Sequence, residues 1–542
     1  MNRIKYIIFA WLSLTVFNVS AQQITQQKYQ LPLLIGKKLN PVLRLAIHTT
    51  EAKTLNGLSL AIPANAEDIE HVQLFALHQD SVFITDAKLQ KAVKVANVNG
   101  DKTKQLQLKG DFKLKAGENY FWLTLTLKST ANLQHRLNLT VNEVTIDGKK
   151  VKANQPNPVN QYLGVALRQH NEENVHTHRI PGLTTANDGS LLAVYDARRT
   201  KGGDLQGDID IGLSRSLDKG KTWLPMQVVL DMGEWGGLPQ KFNGVSDACI
   251  LVDKKTGDLF IAGLWMYGVI NKDGKWLEGL NEESTDWNHQ WRDKGSQPGF
   301  DVKQTSQFLI TKSSDNGKTW SKPLNITKMC KKEEWWLWAP APGAGITLQD
   351  GTLVFPTQGR DSTGKPFSNI TYSKDHGVTW TTSEAATEES TTENMAVELS
   401  DGKVMLNMRA NSNRTDTSSN NGRAIAVTSN LGKSWAIHPT SHKALQEPTC
   451  MASIVRHDYV KSGAKKSILI FCNPDSKIAR NYISLKVSKD DGKTWEKKMM
   501  FDEWKGRGYS CITTIDEETI GVIYESSQAD LVFQAVKLKD LL

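Results

Sequence analysis

The chain has 542 residues, 39% hydrophobic and 23% charged, and its 66 Lys and Arg against 58 Asp and Glu leave a formal charge of +8. That length exceeds one ordinary core, so two or more domains are expected. The modest charge, without a dense Lys/Arg tract interleaved with aromatics, argues against a nucleic-acid-binding protein, and no stretch beyond the N-terminus is apolar enough to cross a bilayer.

Residues 1–21 read as an export signal. Arg3 and Lys5 precede an apolar run from Tyr6 to Val19, and Val19-Ser20-Ala21 offers small residues before a cut ahead of Gln22. The mature protein is expected to be soluble, in the periplasm or outside the cell. Between residues 22 and 153, runs such as Val72-Gln-Leu-Phe-Ala-Leu, Tyr120-Phe-Trp-Leu-Thr-Leu-Thr-Leu and Leu137-Asn-Leu-Thr-Val are alternating, aromatic or β-branched. Polar turns separate them, which predicts a β-sandwich that binds carbohydrate or braces the next domain. Residues 154–161, opening Asn154-Gln-Pro-Asn-Pro, read as a linker.

From 162 to 542 the chain repeats itself. Ser-x-Asp-x-Gly-x-Thr-Trp occurs at Ser216–Trp223, Ser313–Trp320, Ser373–Trp380 and Ser488–Trp495, with a weaker copy, Thr428-Ser-Asn430-Leu-Gly432-Lys-Ser434-Trp435. Asp, Ser and Thr side chains bond to nearby amides, Gly permits positive φ, and Trp packs the turn against a sheet. Each copy comes after a strand-like run, so the repeat is a hairpin turn and its aspartates are structural. Five copies, most about 55 to 60 residues apart, predict an all-β, six-bladed propeller. The longer gap between the first two leaves room for a blade without the turn motif and a long loop. The five cysteines (Cys249, Cys330, Cys450, Cys472, Cys511) are scattered without metal or disulfide spacing and read as buried small hydrophobes.

Outside the repeats, Arg179 in His-Arg-Ile-Pro, Arg198 in Asp-Ala-Arg-Arg, Arg409 in Leu-Asn-Met-Arg and Arg480 in Ile-Ala-Arg-Asn stand in strand- or turn-like settings. With the repeats, known as Asp boxes, they make the region from about Tyr162 to Leu542 resemble the sialidase (neuraminidase) family. The segment Glu393-Asn-Met-Ala-Val-Glu-Leu-Ser-Asp-Gly-Lys-Val-Met-Leu-Asn-Met-Arg409 matches the family pattern throughout. His178 in place of the usual aromatic, and Gly182 after the motif, depart from it.

The resemblance implies a retaining exo-α-sialidase acting on sialylated glycans, without cofactor or metal. Arg179, Arg409 and Arg480 correspond to the carboxylate clamp, since guanidinium groups pair with carboxylates through charge-assisted hydrogen bonds. Glu525 corresponds to the brace of the first arginine. Tyr509 corresponds to the nucleophile, Glu393 to its base and Asp204 to the acid/base, with Asp208 and Asp210 as competitors. A phenol avoids driving an anion against a centre that already carries a carboxylate. Arg198 would contact ring substituents, and Asp247 the hydroxyl or acetamido side. Trp335, Trp336 and Trp338 would wall the acetamido or glycerol portion, or pack a blade. Transfer to another sugar in place of water is chemically adjacent. A silent sialoglycan lectin would need the clamp but not Tyr509, Glu393 and Asp204.

Overall fold

A computed structural model describes residues 23–100, 103–205, 207–273, 275–289 and 295–542. The expected export signal at 1–21 lies outside the described residues. The protein is all-β, with a few short helical turns.

The first part forms two antiparallel sheets. One has five strands in the order Gln23–Lys28, Asn40–Thr49, Gly117–Leu127, Ile69–Leu77 and Val93–Asn99. The other has four, Lys149–Lys152, Thr140–Ile146, Lys53–Ala61 and Gln105–Leu114. Alternation decides which side chains turn inward: in Gln105–Leu114, Leu106 and Leu108 are buried while Gln105, Gln107 and Lys109 are exposed. Leu43, Leu45, Leu123 and Leu125 of one sheet and Leu58, Leu60, Leu106 and Leu108 of the other join one hydrophobic cluster.

Among the described residues, six larger sheets and one two-stranded pairing make up the rest. The opening strands of the six are Thr177–Thr185, Val245–Val252, Leu337–Pro340, Thr391–Glu398, Ser453–Lys461 and Ser510–Asp516. Each sheet packs against the next, and Thr177–Thr185 packs against Ser510–Asp516, so the six close into a ring. The ring is fastened by chain from both ends of this region. The sixth sheet takes Ser510–Asp516, Thr519–Tyr524 and Leu531–Lys537 from the chain's end, but its remaining main strand, Gln161–Arg168, comes from before the first sheet. Leu33–Ile35 adds in parallel beside Gln161–Arg168. Trp504, 5.2 Å from Tyr29 and 5.9 Å from Trp122 between ring centroids, ties the N-terminal sheets to the ring.

The five Asp boxes join the third and fourth strands of the first five sheets. In the first, Ser216 Oγ accepts the Gly220 amide at 2.8 Å and Asp218 Oδ1 the Thr222 amide at 2.9 Å. Asn430 performs the same bond to the Ser434 amide at 3.0 Å, so the weaker copy keeps the turn without the charge. Among the described residues, the long gap between the first two boxes adds no further sheet to the ring. It is a loop between Leu259–Trp265 and Gln307–Ser313 with a two-residue pairing of Val269–Ile270 and Asn288–His289; the sheet without a box is the last. All five cysteines are buried and unpaired.

Candidate active site

The clamp and catalytic side chains nominated from the sequence sit at one end of the ring. In each antiparallel sheet the start of the first strand, the end of the second and the connection to the third share that end, whereas the boxes lie at the other. Arg179, Asp247 and Glu393 stand near the starts of first strands, and Tyr509 directly precedes one. Arg198, Arg409 and Glu525 lie at the ends of second strands, and Asp204 and Arg480 lie in the connections after them.

Three opening strands break register at this end: between Arg179 and Gly182, between Ser246 and Cys249, and between Thr391 and Asn394. Such irregularities re-aim side chains. Ile180 has φ 58° and Asp247 φ 60°, and for a β-branched isoleucine this backbone is costly. Gly182 accounts for one departure from the family pattern, since a Cβ there would lie 2.3 Å from the Gly343 carbonyl oxygen of the neighbouring sheet. His178 is fully buried, 5.5 Å from Tyr195 between ring centroids, and fills the aromatic's place.

The side chains converge on a cavity of about 550 Å³ whose lining includes Arg179, Asp204, Asp247, Glu393, Arg409, Arg480 and Tyr509. Tyr509 is buried, and its phenol donates to Glu393 Oε1. Arg409 Nη1 donates to Glu393 Oε2 at 2.5 Å and to the phenolic oxygen at 3.1 Å. Arg179 and Arg480 lie over the phenol ring, each with Cζ 5.3 Å from its centroid. Burial and then Glu393 push the phenol's pKa well above its ordinary value, outweighing Arg409 and Arg480.

Glu525 accepts Arg179 Nε at 2.9 Å and Nη2 at 3.2 Å, the Ile180 amide at 3.0 Å and the Tyr509 amide at 3.1 Å. Burial alone would raise its pKa, but Arg179 and these hydrogen bonds hold it below the ordinary value. Arg480 is aimed by the carbonyls of Arg507 at 3.0 Å and Thr449 at 3.2 Å. Gly508 lets the chain pass it: a Cβ there would sit 3.0 Å from Arg480 Cβ and 2.9 Å from Pro474 Cγ.

Asp204 is half exposed and takes Arg198 Nη1 at 2.7 Å and Arg179 Nη1 at 3.3 Å through the same oxygen. Burial works to raise its pKa, but Arg198 and Arg179 outweigh it and hold Asp204 as a carboxylate. Asp247 is displaced the other way, well above its ordinary value, by burial and the nearby carboxylates Glu393, Asp196 and Asp204. Arg198 is fully buried and does not line the cavity; its Nε and Nη2 go to Asp196 Oδ2 at 3.2 and 2.8 Å.

Asp208 and Asp210 do not line the cavity. Asp210 is buried against Arg199, with burial pushing its pKa up to about 7, and burial pushes Asp208 up to about 6. The tryptophans form no wall of the cavity. Trp338 stacks on Phe308 at 4.4 Å, Trp335 packs on Phe367 at 4.7 Å, and Trp336 donates to the Ser362 carbonyl. The strand Leu337–Pro340 and the turn before it carry Trp338 and Trp335 into the core between sheets.

Asp196 was not among the residues nominated from the sequence. It is fully buried, and besides Arg198 it accepts Ser246 Oγ at 2.7 Å and the Asp247 amide at 3.1 Å. The strand period could have found it: Asp196 and Arg198, two apart in Leu191–Arg198, share a face. Also missed was the buried pair of Arg423 and Glu447, whose Oε1 accepts the Ala410 amide at 2.8 Å beside Arg409. Gln358 and Arg360, from the third sheet, complete the cavity's side by Asp247.

Residues 180–500 match the family described as BNR repeat-like domain, and residues 21–150 match the N-terminal domain of BNR-repeat neuraminidase. The chain is 38% identical over 566 aligned positions to a sialidase of Bacteroides fragilis (strain YCH46), covering 99% of both chains. It is 32% identical to a sialidase of Micromonospora viridifaciens, over 67% of this chain and 52% of that one. Among solved structures, a Hadza microbial sialidase, Hz136, superposes with a TM-score of 0.84 at 33% identity, over 96% of this chain and 100% of that one. An intramolecular trans-sialidase from Ruminococcus gnavus shares the fold at 18% identity and a TM-score of 0.52, over 68% of this chain and 96% of that one.

Proposed function

The chain belongs to the BNR-repeat neuraminidase family, the sialidases, and from that premise we propose that it is a retaining exo-α-sialidase acting through a tyrosyl intermediate. It removes terminal sialic acid from glycoproteins, glycolipids and oligosaccharides. The ring of six sheets serves as a six-bladed propeller that holds the site. The N-terminal pair serves as a β-sandwich, and residues 1–21 as an export signal, so that the substrates are periplasmic or extracellular glycans.

One observation carries the mechanism: the Tyr509 phenol donates to Glu393 while the guanidinium groups of Arg179, Arg409 and Arg480 gather around it. Three cations in a half-buried cavity fit a sugar that bears a carboxylate on its anomeric carbon. A phenol this reluctant to ionise needs a base within hydrogen-bond reach, and Glu393 supplies it. In the first step the Tyr509 oxygen bonds to the anomeric carbon and its proton passes to Glu393. The glycosidic bond breaks as Asp204 protonates the departing oxygen. In the second step Asp204 takes a proton from water, the water oxygen bonds to the anomeric carbon, and Tyr509 leaves with the proton from Glu393. Two inversions give retention.

Asp204 must carry a proton in the first step, yet its two arginines hold it ionised. The substrate resolves this. Its carboxylate neutralises Arg179, which removes part of the field that holds Asp204 down and brings a like charge near, and both effects raise the pKa of Asp204. Arg198, buried behind Asp204, positions it rather than touching the sugar. Asp247, whose pKa burial and the surrounding carboxylates push up, lies where it would meet a sugar hydroxyl or acetamido group.

The test is hydrolysis of a fluorogenic α-sialoside, with NMR identifying the first-released anomer and mass spectrometry locating a fluorosialyl adduct. Release of the α-anomer and an adduct on Tyr509 are expected. First release of the β-anomer, or an adduct on another residue, removes the mechanism.

A further inference from the structure

Beside the main cavity lies a second one of about 340 Å³ that shares Arg409, Arg414 and Arg480 with it and adds Lys477 and Ile478. Four of its lining residues are cations and none is an acid. Of the carboxylates nearby, Glu393 pairs with Arg409 on the side of the main cavity, and none makes an ion pair with Arg414 or Lys477 among the described residues. Asp475 is taken by Lys486 at 2.8 Å and Lys497 at 2.9 Å, and Asp416, which feels the charge of Lys477, accepts the Ser418 amide at 2.7 Å. Lys477 donates to a neutral group, the Ser418 carbonyl.

The scaffold is fixed. Arg414 is exposed at the end of the turn Asn411–Arg414, which Asn413 anchors by donating to the Gly422 carbonyl at 2.7 Å and to Glu447 Oε1 at 2.8 Å. Thr449, β-branched and held at φ 52°, gives its carbonyl to Arg480 between the two cavities. Ile478 is 84% exposed on the loop that carries Lys477, an apolar face beside a cationic one.

We propose that this second cavity is an anion-selective subsite for the departing sugar, the residue to which the sialic acid is linked, in which Arg414 and Lys477 take a carboxylate or sulfate on that sugar. The inference rests on the sialidase reading. The clamped carboxylate and the departing oxygen share one carbon, so the departing sugar begins next to the clamp. Arg409 and Arg480 are occupied by the first carboxylate, which leaves Arg414 and Lys477 for a second anion. Cations lining a cleft raise the local concentration of an anionic ligand, and salt weakens the effect. Substrates with this chemistry are α2,8-linked disialyl glycans and sulfated sialyl-lactosamines.

The experiment compares kcat/KM on an α2,3-sialyl-lactosamine sulfated at O6 of its galactose with the unsulfated parent, and on an α2,8-disialyl lactoside with α2,3-sialyllactose. It uses the wild type, Arg414→Gln and Lys477→Glu, at low salt and at about 0.5 M salt. The sulfated pair keeps the linkage constant, and the two pairs separate sulfate from carboxylate. We expect an anionic-to-neutral ratio of about three- to tenfold in one or both pairs, shrinking in salt and falling to one or below in Lys477→Glu. A ratio of one in the wild type, or one unchanged in both variants, overturns the subsite. Calorimetric binding of the same ligands to Tyr509→Phe separates this inference from the one beneath it. Anion preference in binding without wild-type turnover keeps the subsite and removes the hydrolase; turnover without preference removes the subsite alone. Neither binding nor turnover overturns both.

Discussion

Tyr509 gives its phenolic hydrogen to Oε1 of Glu393, whose other oxygen is held by Arg409 at 2.5 Å. The base is therefore pinned at its far side and directed at the phenol. Because the phenol stays protonated at neutral pH, removing either member should cost chemistry rather than binding. Tyr509→Phe is expected to lower kcat on α-sialosides by about 10³-fold or more, and Glu393→Gln by about 10²- to 10⁴-fold. Calorimetry with a sialic acid analogue should find Kd for Tyr509→Phe within about tenfold of wild type. Undiminished kcat in Tyr509→Phe removes the assigned nucleophile.

Asp204 and Asp196 should share a signature. Asp204 protonates the departing oxygen, and Asp196 acts through Arg198, which it grips at 2.8 Å and which grips Asp204 at 2.7 Å. Asp204→Asn is expected to lower kcat/KM by about 10²- to 10³-fold on sialyllactose and far less on a 4-nitrophenyl sialoside, whose leaving group needs no proton. Asp196→Asn should show the same contrast between substrates with a smaller loss, about tenfold on sialyllactose. An equal loss on both substrates would make Asp196 merely structural.

Stability in acid should report the Glu525–Arg179 pair. The folded-state pKa of Glu525 lies below its unfolded value, so its contribution is complete above the unfolded carboxylate range and is lost as pH falls through the folded pKa. Glu525→Gln leaves Arg179 buried without its partner and is expected to cost about 3 kcal/mol at pH 7. In thermal melts from pH 7 to pH 3, the gap between wild type and variant should stay constant above about pH 5 and close below about pH 4. A gap that widens in acid contradicts the assignment.

The Asp boxes should affect stability without affecting turnover. Asp315 and Asp490 accept the amides of Thr319 and Thr494 at 2.9 and 2.8 Å, at the end of the ring opposite the cavity. Alanine at either position is expected to lower the melting midpoint by about 2 °C and to leave kcat/KM within about twofold. A large loss of kcat/KM in a variant with an unchanged midpoint would give the boxes a catalytic part.

Local chemistry was legible in the chain alone. The Ser-x-Asp-x-Gly-x-Thr-Trp turns could be read because each closes on itself within eight residues, as the bonds from Ser313 to Gly317 and from Asp315 to Thr319 do. Arg179, Glu393, Arg409, Arg480, Tyr509 and Glu525 could be nominated because short motifs surround them. Which nominees meet was decided only by the ring: Glu525 reaches Arg179 across 346 positions, and Tyr509 reaches Glu393 across 116. The same closure separated Asp204 from Asp208 and Asp210, kept the three tryptophans out of the cavity and buried Arg198 behind Asp204. Turns are set by neighbours in sequence, whereas burial and charge pairing depend on which sheet edge lies beside which.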